Sequence, residues 1–192
     1  DYTPGAMRNA SREEYEPSYS RPMSQGTRCH QLAMYVVYNQ PLAMLCDSPT
    51  AYEAEPEFTK FLAEIPTTWD SWSAIDGEIG EYIVVRGKKD GYLYYAGLNG
   101  NTSREVTIHF GMFGYSPDND HYGDIEIYSD KGDSSTDYDY THIETNGTRY
   151  VIGDNFPSEL KIEMSPGGGF VLKTHIRTWE DMKKTRLKMR LN

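Results

Sequence analysis

GTRCHQLAMYVVYNQPLAMLCDSP, residues 26–49, holds the two apolar patterns that decide the predicted fold. In its first half, apolar residues recur at three- and four-residue spacing, as they do along one face of a helix: Cys29, Leu32, Ala33, Val36 and Val37. Pro41 ends this pattern, because proline lacks an N–H and disfavours helical backbone at the residue before it. The sequence therefore predicts a helix within residues 26–40.

The second half of the stretch is an unbroken apolar run, LAMLC, at residues 42–46. A strand that is covered on both faces reads in this way, most often in a parallel sheet flanked by helices. The run predicts a buried strand, one α/β unit of a larger sheet. Asp47 follows it, at the strand end where parallel α/β sheets bind ligands, although Asp47 could instead cap the following turn.

Downstream residues change from a helical to a strand-like period near Thr67. Before that point, Pro56 opens a second predicted helix whose apolar face comprises Phe58, Phe61, Leu62 and Ile65. After it, predicted strands lie at 81–86, 92–98, 104–110, 122–128, 148–152, 160–164 and 170–176. Short strands without intervening helices indicate an antiparallel β-sandwich.

Some of these strands carry more specific predictions. Lys89-Asp90-Gly91 is typical of a hairpin turn and is predicted to connect the strands at 81–86 and 92–98. In residues 104–110, the apolar side chains Val106, Ile108 and Phe110 alternate with Glu105, Thr107 and His109. We expect the first set to point into the core and the second to face outward.

Composition excludes several functional classes. The net charge of −10 argues against a nucleic-acid partner, for which a basic stripe is expected. No apolar run approaches 18 residues, so no membrane span is predicted. Cys29 and Cys46 are too few for a disulfide framework and are expected to be buried free thiols. The last residues, 177–192, are basic and could form a terminal strand, a helix or a disordered end.

Few residues suggest catalysis. Asp118, Asp120 and Asp124, and the pair Asp130 and Asp133, lack the residue order of a known calcium loop, so we expect solvated turns there. Cleavage of a glycosidic bond needs two carboxylic groups about 5–10 Å apart. Asp1 and Asp47 could both reach the mouth of a barrel. With Tyr2, they are the candidate substrate-binding residues.

Several blocks of the sequence resemble a known family when taken together. They are DYTPG (1–5), TRCHQLAMYVVY (27–38), PLAMLCDSP (41–49), IPTTWD (65–70), DGEIGEYI (76–83) and PGGG (166–169). In this order, they resemble the C-terminal third of glycoside hydrolase family 97, over about residues 1–176.

The resemblance implies the end of a (β/α)₈ barrel in residues 1–70 and an antiparallel β-sandwich in residues 71–176. It also implies a calcium-dependent α-glucosidase or α-galactosidase of the bacterial periplasm or cell surface. The family's catalytic and calcium-binding glutamates precede the DYTPG block, so no residue here inherits those roles. By resemblance, the chain alone is therefore expected to be inactive and to depend on an upstream barrel segment and an oligosaccharide substrate.

The predicted function is therefore the C-terminal part of an exo-acting α-glycosidase. One alternative is a carbohydrate-binding module, suggested by 16 tyrosines and by Tyr92 and Tyr94 on one side of a strand. Another is a structural sandwich that supports the barrel. Trp69 and Trp72 flank the change of period, where two domains would meet. Because a tryptophan there would bury a large apolar area, we expect a supporting role.

Overall fold

The computed structural model describes residues 7–20, 22–110, 121–132, 134–143 and 159–177, with only the backbone of residues 121, 122 and 177. The helices that lie wholly within these residues are α1 (Arg28–Val37), α2 (Pro49–Glu53) and α3 (Pro56–Glu64). Its strands are β1 (Asn9–Ala10), β2 (Ser24–Gln25), β3 (Ser71–Glu78), β4 (Tyr82–Lys89), β5 (Tyr92–Asn99), β6 (Arg104–His109), β7 (His121–Asp130), β8 (Tyr138–Ile143), β9 (Glu159–Met164) and β10 (Gly169–Arg177).

The two predicted helices are confirmed as α1 and α3. Thr27 caps α1, because its hydroxyl accepts a hydrogen bond from the N–H of His30 at 3.0 Å. Pro56 occupies the first turn of α3, where a missing N–H costs nothing. The apolar faces read from the sequence are the buried faces of both helices. The short helix α2 was not predicted from the sequence.

The prediction of a buried strand at residues 42–46 is wrong for this structure. The segment forms no strand with a neighbour beyond an isolated bridge at Ala43. Leu42 and Leu45 are 56% and 55% exposed, and Met44 is also exposed. An apolar strand is buried only when neighbouring strands and helices cover it, and the described residues supply no such cover. Leu42, Met44 and Leu45 therefore face solvent, whereas Ala43 and Cys46 are half-buried.

The strands form a six-stranded antiparallel sheet with the order β3-β4-β5-β10-β7-β8, a separate antiparallel pair, β6-β9, and a short parallel pair, β1-β2. The predicted hairpin turn is confirmed between β4 and β5, where Asp90 and Gly91 have φ values of 48° and 82°. β3 and β8 were not predicted. The strand predicted at 148–152 and nearly all of the basic end lie outside the described residues.

The six-stranded sheet has a core on each face. On one face, Val106 and Ile108 of β6 and Ile162 of β9 pack against Tyr95 and Phe170. The predicted alternation is confirmed, because Glu105 is exposed while Val106, Ile108 and Phe110 are buried. This arrangement confirms the antiparallel, sandwich-like part of the predicted fold.

On the other face, α1 and α3 pack against the same sheet. Leu32 and Val36 of α1 and Phe58 of α3 share one buried cluster with Ala96 and Val171 of the sheet. Trp69 and Trp72 pack against this cluster. The Trp72 indole N–H donates to the carbonyl of Val36 at 2.9 Å. The helices and the sheet are therefore joined by a continuous apolar core.

Asp130, at the end of β7, stabilises the contact between α1 and the large sheet, which we call the joint. Its carboxylate accepts hydrogen bonds from the Thr27 hydroxyl at 2.6 Å, the Ser165 N–H at 2.9 Å and the Gly169 N–H at 2.8 Å. Burial raises the pKa of Asp130, although these hydrogen bonds oppose the shift. The prediction of a solvated turn is therefore wrong for this residue. The sequence could not show that Asp130 meets a helix cap 103 residues away.

Candidate functional site

Only one of the three candidate substrate-binding residues lies in the described part of the chain. Asp1 and Tyr2 lie outside it. The half-buried Asp47 directly precedes Ser48, the N-cap residue of α2. Its carboxylate accepts hydrogen bonds from the N–H of Met7 at 2.9 Å and from the N–H of Ser48 at 2.7 Å. Asp47 thus holds two backbone segments together, and its role toward a substrate stays a prediction.

The two cysteines are free thiols, as the sequence predicts. Cys29 is fully buried in α1, as predicted, but the prediction of burial is wrong for Cys46, which is only partly buried. Among the residues that the structure describes, no three histidine, cysteine, aspartate or glutamate side chains are grouped to hold a metal ion. In the same part of the chain, no helix is long and apolar enough to cross a membrane.

A pocket of about 440 Å³ lies between α3 and the helix-covered face of the large sheet. Tyrosines and charged side chains line it: Glu57, Lys60, Phe61, Glu64, Tyr92, Glu126, Tyr128, Tyr138, Tyr140 and Lys173. α3 supplies one wall through side chains at helical spacing, while β5, β10, β7 and β8 supply the floor. We call this the tyrosine pocket.

Lys173 organises the polar groups of the tyrosine pocket. Its ammonium group donates to the carboxylate of Glu64 and lies 3.4 Å from a carboxylate oxygen of Glu126. Burial alone would lower the pKa of Lys173, but the two carboxylates outweigh burial, and its pKa is raised. The lysine therefore stays charged and keeps both carboxylates at fixed positions.

The aromatic side chains form a connected cluster. The buried Tyr128 ring lies 4.7 Å from the Phe61 ring, 5.3 Å from the Tyr138 ring and 4.9 Å from the Tyr140 ring, between centroids. Tyr92 and Tyr140 remain 39% and 48% exposed. Burial and the negative charge of Glu126 raise the pKa of Tyr140 to about 12, so its hydroxyl is a neutral donor at physiological pH.

A larger cavity, of about 860 Å³, lies at the N-terminal end of α1. His30 lines it, and the ring nitrogen Nδ1 of His30 lies 2.9 Å from the carbonyl oxygen of Gly168. Burial lowers the pKa of His30, and this hydrogen bond only partly opposes the shift. This cavity borders the joint at Asp130, since Thr27 and Ser165 also line it.

Sequence reasoning found Tyr92 as a candidate but missed the rest of the tyrosine pocket. A signal existed in β7 and β8, where Glu126 and Tyr128, and Tyr138 and Tyr140, occur at the two-residue spacing of one strand face. The partners Glu64 and Lys173 come from elements 109 residues apart, so no local pattern could bring them together.

The sequence matches one family over more than half of its length. The family is described as "Glycosyl-hydrolase 97 C-terminal, oligomerisation", and the match covers residues 68–175. It begins at the linker between α3 and β3 and ends within β10. The match therefore spans the two β-sheets that carry the core described above.

A curated relative extends the similarity into the helical segment. The chain is 43% identical over 178 residues to a "Retaining alpha-galactosidase" from Bacteroides thetaiotaomicron. The alignment covers 90% of this chain and 24% of the relative. The chain thus spans about a quarter of the length of that curated relative.

Solved structures share the fold at lower sequence identity. A variant of a Glycoside Hydrolase Family 97 enzyme from Pseudoalteromonas sp. strain K8 has a TM-score of 0.64 and 20% identity, over 79% of this chain and 23% of that one. A structure described as a beta-arabinopyranosidase has a TM-score of 0.59 and 21% identity, over 79% and 22%. Family match and fold agree: the chain belongs to the glycosyl-hydrolase 97 C-terminal, oligomerisation family.

Proposed function

We propose that this chain is the C-terminal part of an exo-acting α-glycosidase that hydrolyses α-galactosides. The observation that carries the proposal is the 43% identity to a retaining α-galactosidase over 90% of the chain. Because the similarity includes the helical segment as well as the sheets, it supports a shared arrangement of both parts. The α-galactoside preference over α-glucosides rests on that relative alone.

In this proposal, residues 1–70 complete the catalytic barrel and the sheets support it. The close joint between α1 and the sheet favours this role. Thr27 is held by Asp130 at one end of α1, and the carbonyl of Val36 accepts from the Trp72 indole at the other end. Arg28 of α1 also pairs with Glu55, with 2.7 Å between nitrogen and oxygen. A helix fixed at both ends can hold the elements packed against it in one orientation.

The exposed apolar segment at residues 42–46 marks the surface that the rest of the enzyme would contact. Leu42, Met44 and Leu45 are all exposed. Exposed apolar side chains that are contiguous in this way mark a surface that another part of a protein covers. We assign that cover to the upstream barrel segment, so that residues 42–46 become a barrel strand in the longer protein.

Calcium dependence and a periplasmic or cell-surface location belong to the proposal as well. In the family that this sequence resembles, the calcium-binding glutamates precede the DYTPG block. We therefore propose that the calcium ligands lie in the upstream segment. The catalytic carboxylates are expected there too.

Hydrolysis of aryl glycosides tests the proposal. A longer protein that contains this chain and the upstream segment should cleave an aryl α-galactoside faster than the matched aryl α-glucoside. The 192-residue chain alone should cleave neither. Turnover by the isolated chain, or a longer protein without activity on either glycoside, would show that the proposed function is wrong.

A further inference from the structure

The two exposed rings of the tyrosine pocket are held in place. Tyr92 packs on the His175 ring at 4.7 Å and lies 5.2 Å from the Lys173 ammonium. The Tyr140 hydroxyl donates to a carboxylate oxygen of Glu126 at 3.1 Å, and its ring contacts Tyr128. Rings that are already fixed lose little conformational entropy when a ligand packs on them. Both can serve as preformed apolar platforms at the rim of the pocket.

Between these rings, the pocket offers hydrogen-bond acceptors. Glu126 uses one oxygen for Tyr140 and presents the other to Lys173. Glu64 contacts Lys173 and is 42% exposed at its side chain. A carboxylate has about four lone-pair positions, so both groups retain capacity for donors from a ligand. Lys60, which also lines the pocket, supplies a donor.

This combination selects a class of ligand. Three glutamates line the pocket against two lysines, which disfavours an anion. A cationic ligand is also disfavoured, because the ammonium group of Lys173 already lies between the carboxylates. It is 5.7 Å from the centre of the Phe61 ring and 5.2 Å from that of the Tyr92 ring. A neutral ring with apolar C–H faces and several hydroxyl groups matches the platforms and the acceptors together. The volume of about 440 Å³ falls in the usual range for small-molecule sites.

We propose that the tyrosine pocket binds a pyranose unit of an oligosaccharide, with Tyr92 and Tyr140 as stacking platforms and Glu64 and Glu126 as acceptors for its hydroxyl groups. This site goes beyond the proposed function and does not depend on it, because all its residues lie in this chain. It assigns a binding role to a domain to which we otherwise give a supporting role.

Ligand-observed NMR on the 192-residue chain tests this site, with melibiose and maltotriose as probes. We expect saturable binding of at least one probe. Tyr92→Ala and Tyr140→Ala should each weaken it by about tenfold, because each removes a stacking platform. Tyr19→Ala is the matched control, since Tyr19 is a fully exposed tyrosine outside the pocket, and it should bind as the unchanged chain does.

Tyr140→Phe guards against variants that fail to fold. It keeps the ring but removes the hydroxyl that holds Glu126, so we expect weaker binding of the sugar. Its near-ultraviolet circular dichroism spectrum should differ from that of the unchanged chain only by the contribution of the one lost tyrosine, which would show that the variant is folded. Failure of both probes to bind at tens of millimolar would overturn the proposal. Equal binding by the unchanged chain and by folded variants at Tyr92 and Tyr140 would overturn it as well.

The activity of the longer protein does not enter this test. A glycosidase with no sugar binding in the tyrosine pocket would contradict only the inference about the pocket. Sugar binding by the chain in a protein without glycosidase activity would contradict only the proposed function.

Discussion

The carboxylate of Asp130 accepts a hydrogen bond from the Thr27 hydroxyl, with 2.6 Å between the two oxygens, and this contact joins the end of β7 to the cap of α1. The same hydroxyl accepts a hydrogen bond from the N–H of His30 inside the helix. The helix cap is therefore oriented by the sheet. This contact fixes the helical segment and the large sheet relative to each other.

Replacing Asp130 should be strongly destabilising. Asp130→Ala removes the acceptor of one hydroxyl and two backbone N–H groups, and leaving buried donors unpaired costs about 1–3 kcal/mol each. We expect a loss of about 3 kcal/mol or more in the free energy of unfolding, measured by urea denaturation. Asp137→Ala, at an exposed position of the following turn, is the control and should stay within about 0.5 kcal/mol. Equal effects of the two variants would contradict the role of Asp130.

His30 should make the joint sensitive to acid. Burial lowers the folded-state pKa of His30 below its usual value of 6.5. As the pH falls through 6.5 toward that lower pKa, the unfolded chain binds a proton that the folded chain does not, so stability decreases. The free energy of unfolding of the unchanged chain, relative to that of His30→Gln, should therefore decrease between about pH 7.5 and pH 5.5. A difference that stays constant or increases toward acid pH would refute this.

Trp69 and Gly87 should be energetically coupled. A Cβ atom at Gly87 would lie 2.5 Å from the Trp69 ring, which also packs edge-on against Tyr94. Gly87→Ala should cost about 1–3 kcal/mol, because the ring must move from its site on the sheet. In a Trp69→Ala background, the same change should cost little. Additive effects in this double-mutant cycle would show that Trp69 does not dock there.

The isolated chain should self-associate through residues 42–46. Leu42→Ser combined with Leu45→Ser removes two exposed leucines and should shift the sedimentation velocity distribution toward monomer. Ile79→Ser is the control, because Ile79 is equally apolar and fully exposed on the turn after β3. Unchanged association in the double variant, or an equal shift in the control, would contradict the assignment.

The sequence predicted correctly those elements whose structure depends on neighbouring residues alone. The stripe of α1, the face of α3 and the Asp90-Gly91 turn could be read from neighbouring residues, since spacing and backbone preference decide them. Residues 42–46 could not, because burial of an apolar strand depends on cover supplied by other segments.

The tyrosine pocket was largely unpredictable for a related reason. Glu64, Glu126 and Lys173 belong to three separate elements, and only the strand order β10-β7 beneath α3 brings their charges together. β3 was missed because six of its eight residues are exposed, which leaves no clear apolar alternation. Of the site residues predicted from sequence, Asp47 could be placed, while Asp1 and Tyr2 lie outside the described residues.

Hydrogen exchange at residues 42–46 tests the central claim most directly, namely that this chain is one end of a larger glycosidase fold. We expect the amides of Leu42 to Cys46 to exchange rapidly in the 192-residue chain and slowly in a longer protein that contains the upstream segment, because there the segment would pair as a barrel strand. The amides of β10 should be protected in both proteins and serve as the internal reference. Equally rapid exchange of residues 42–46 in both proteins would contradict the account.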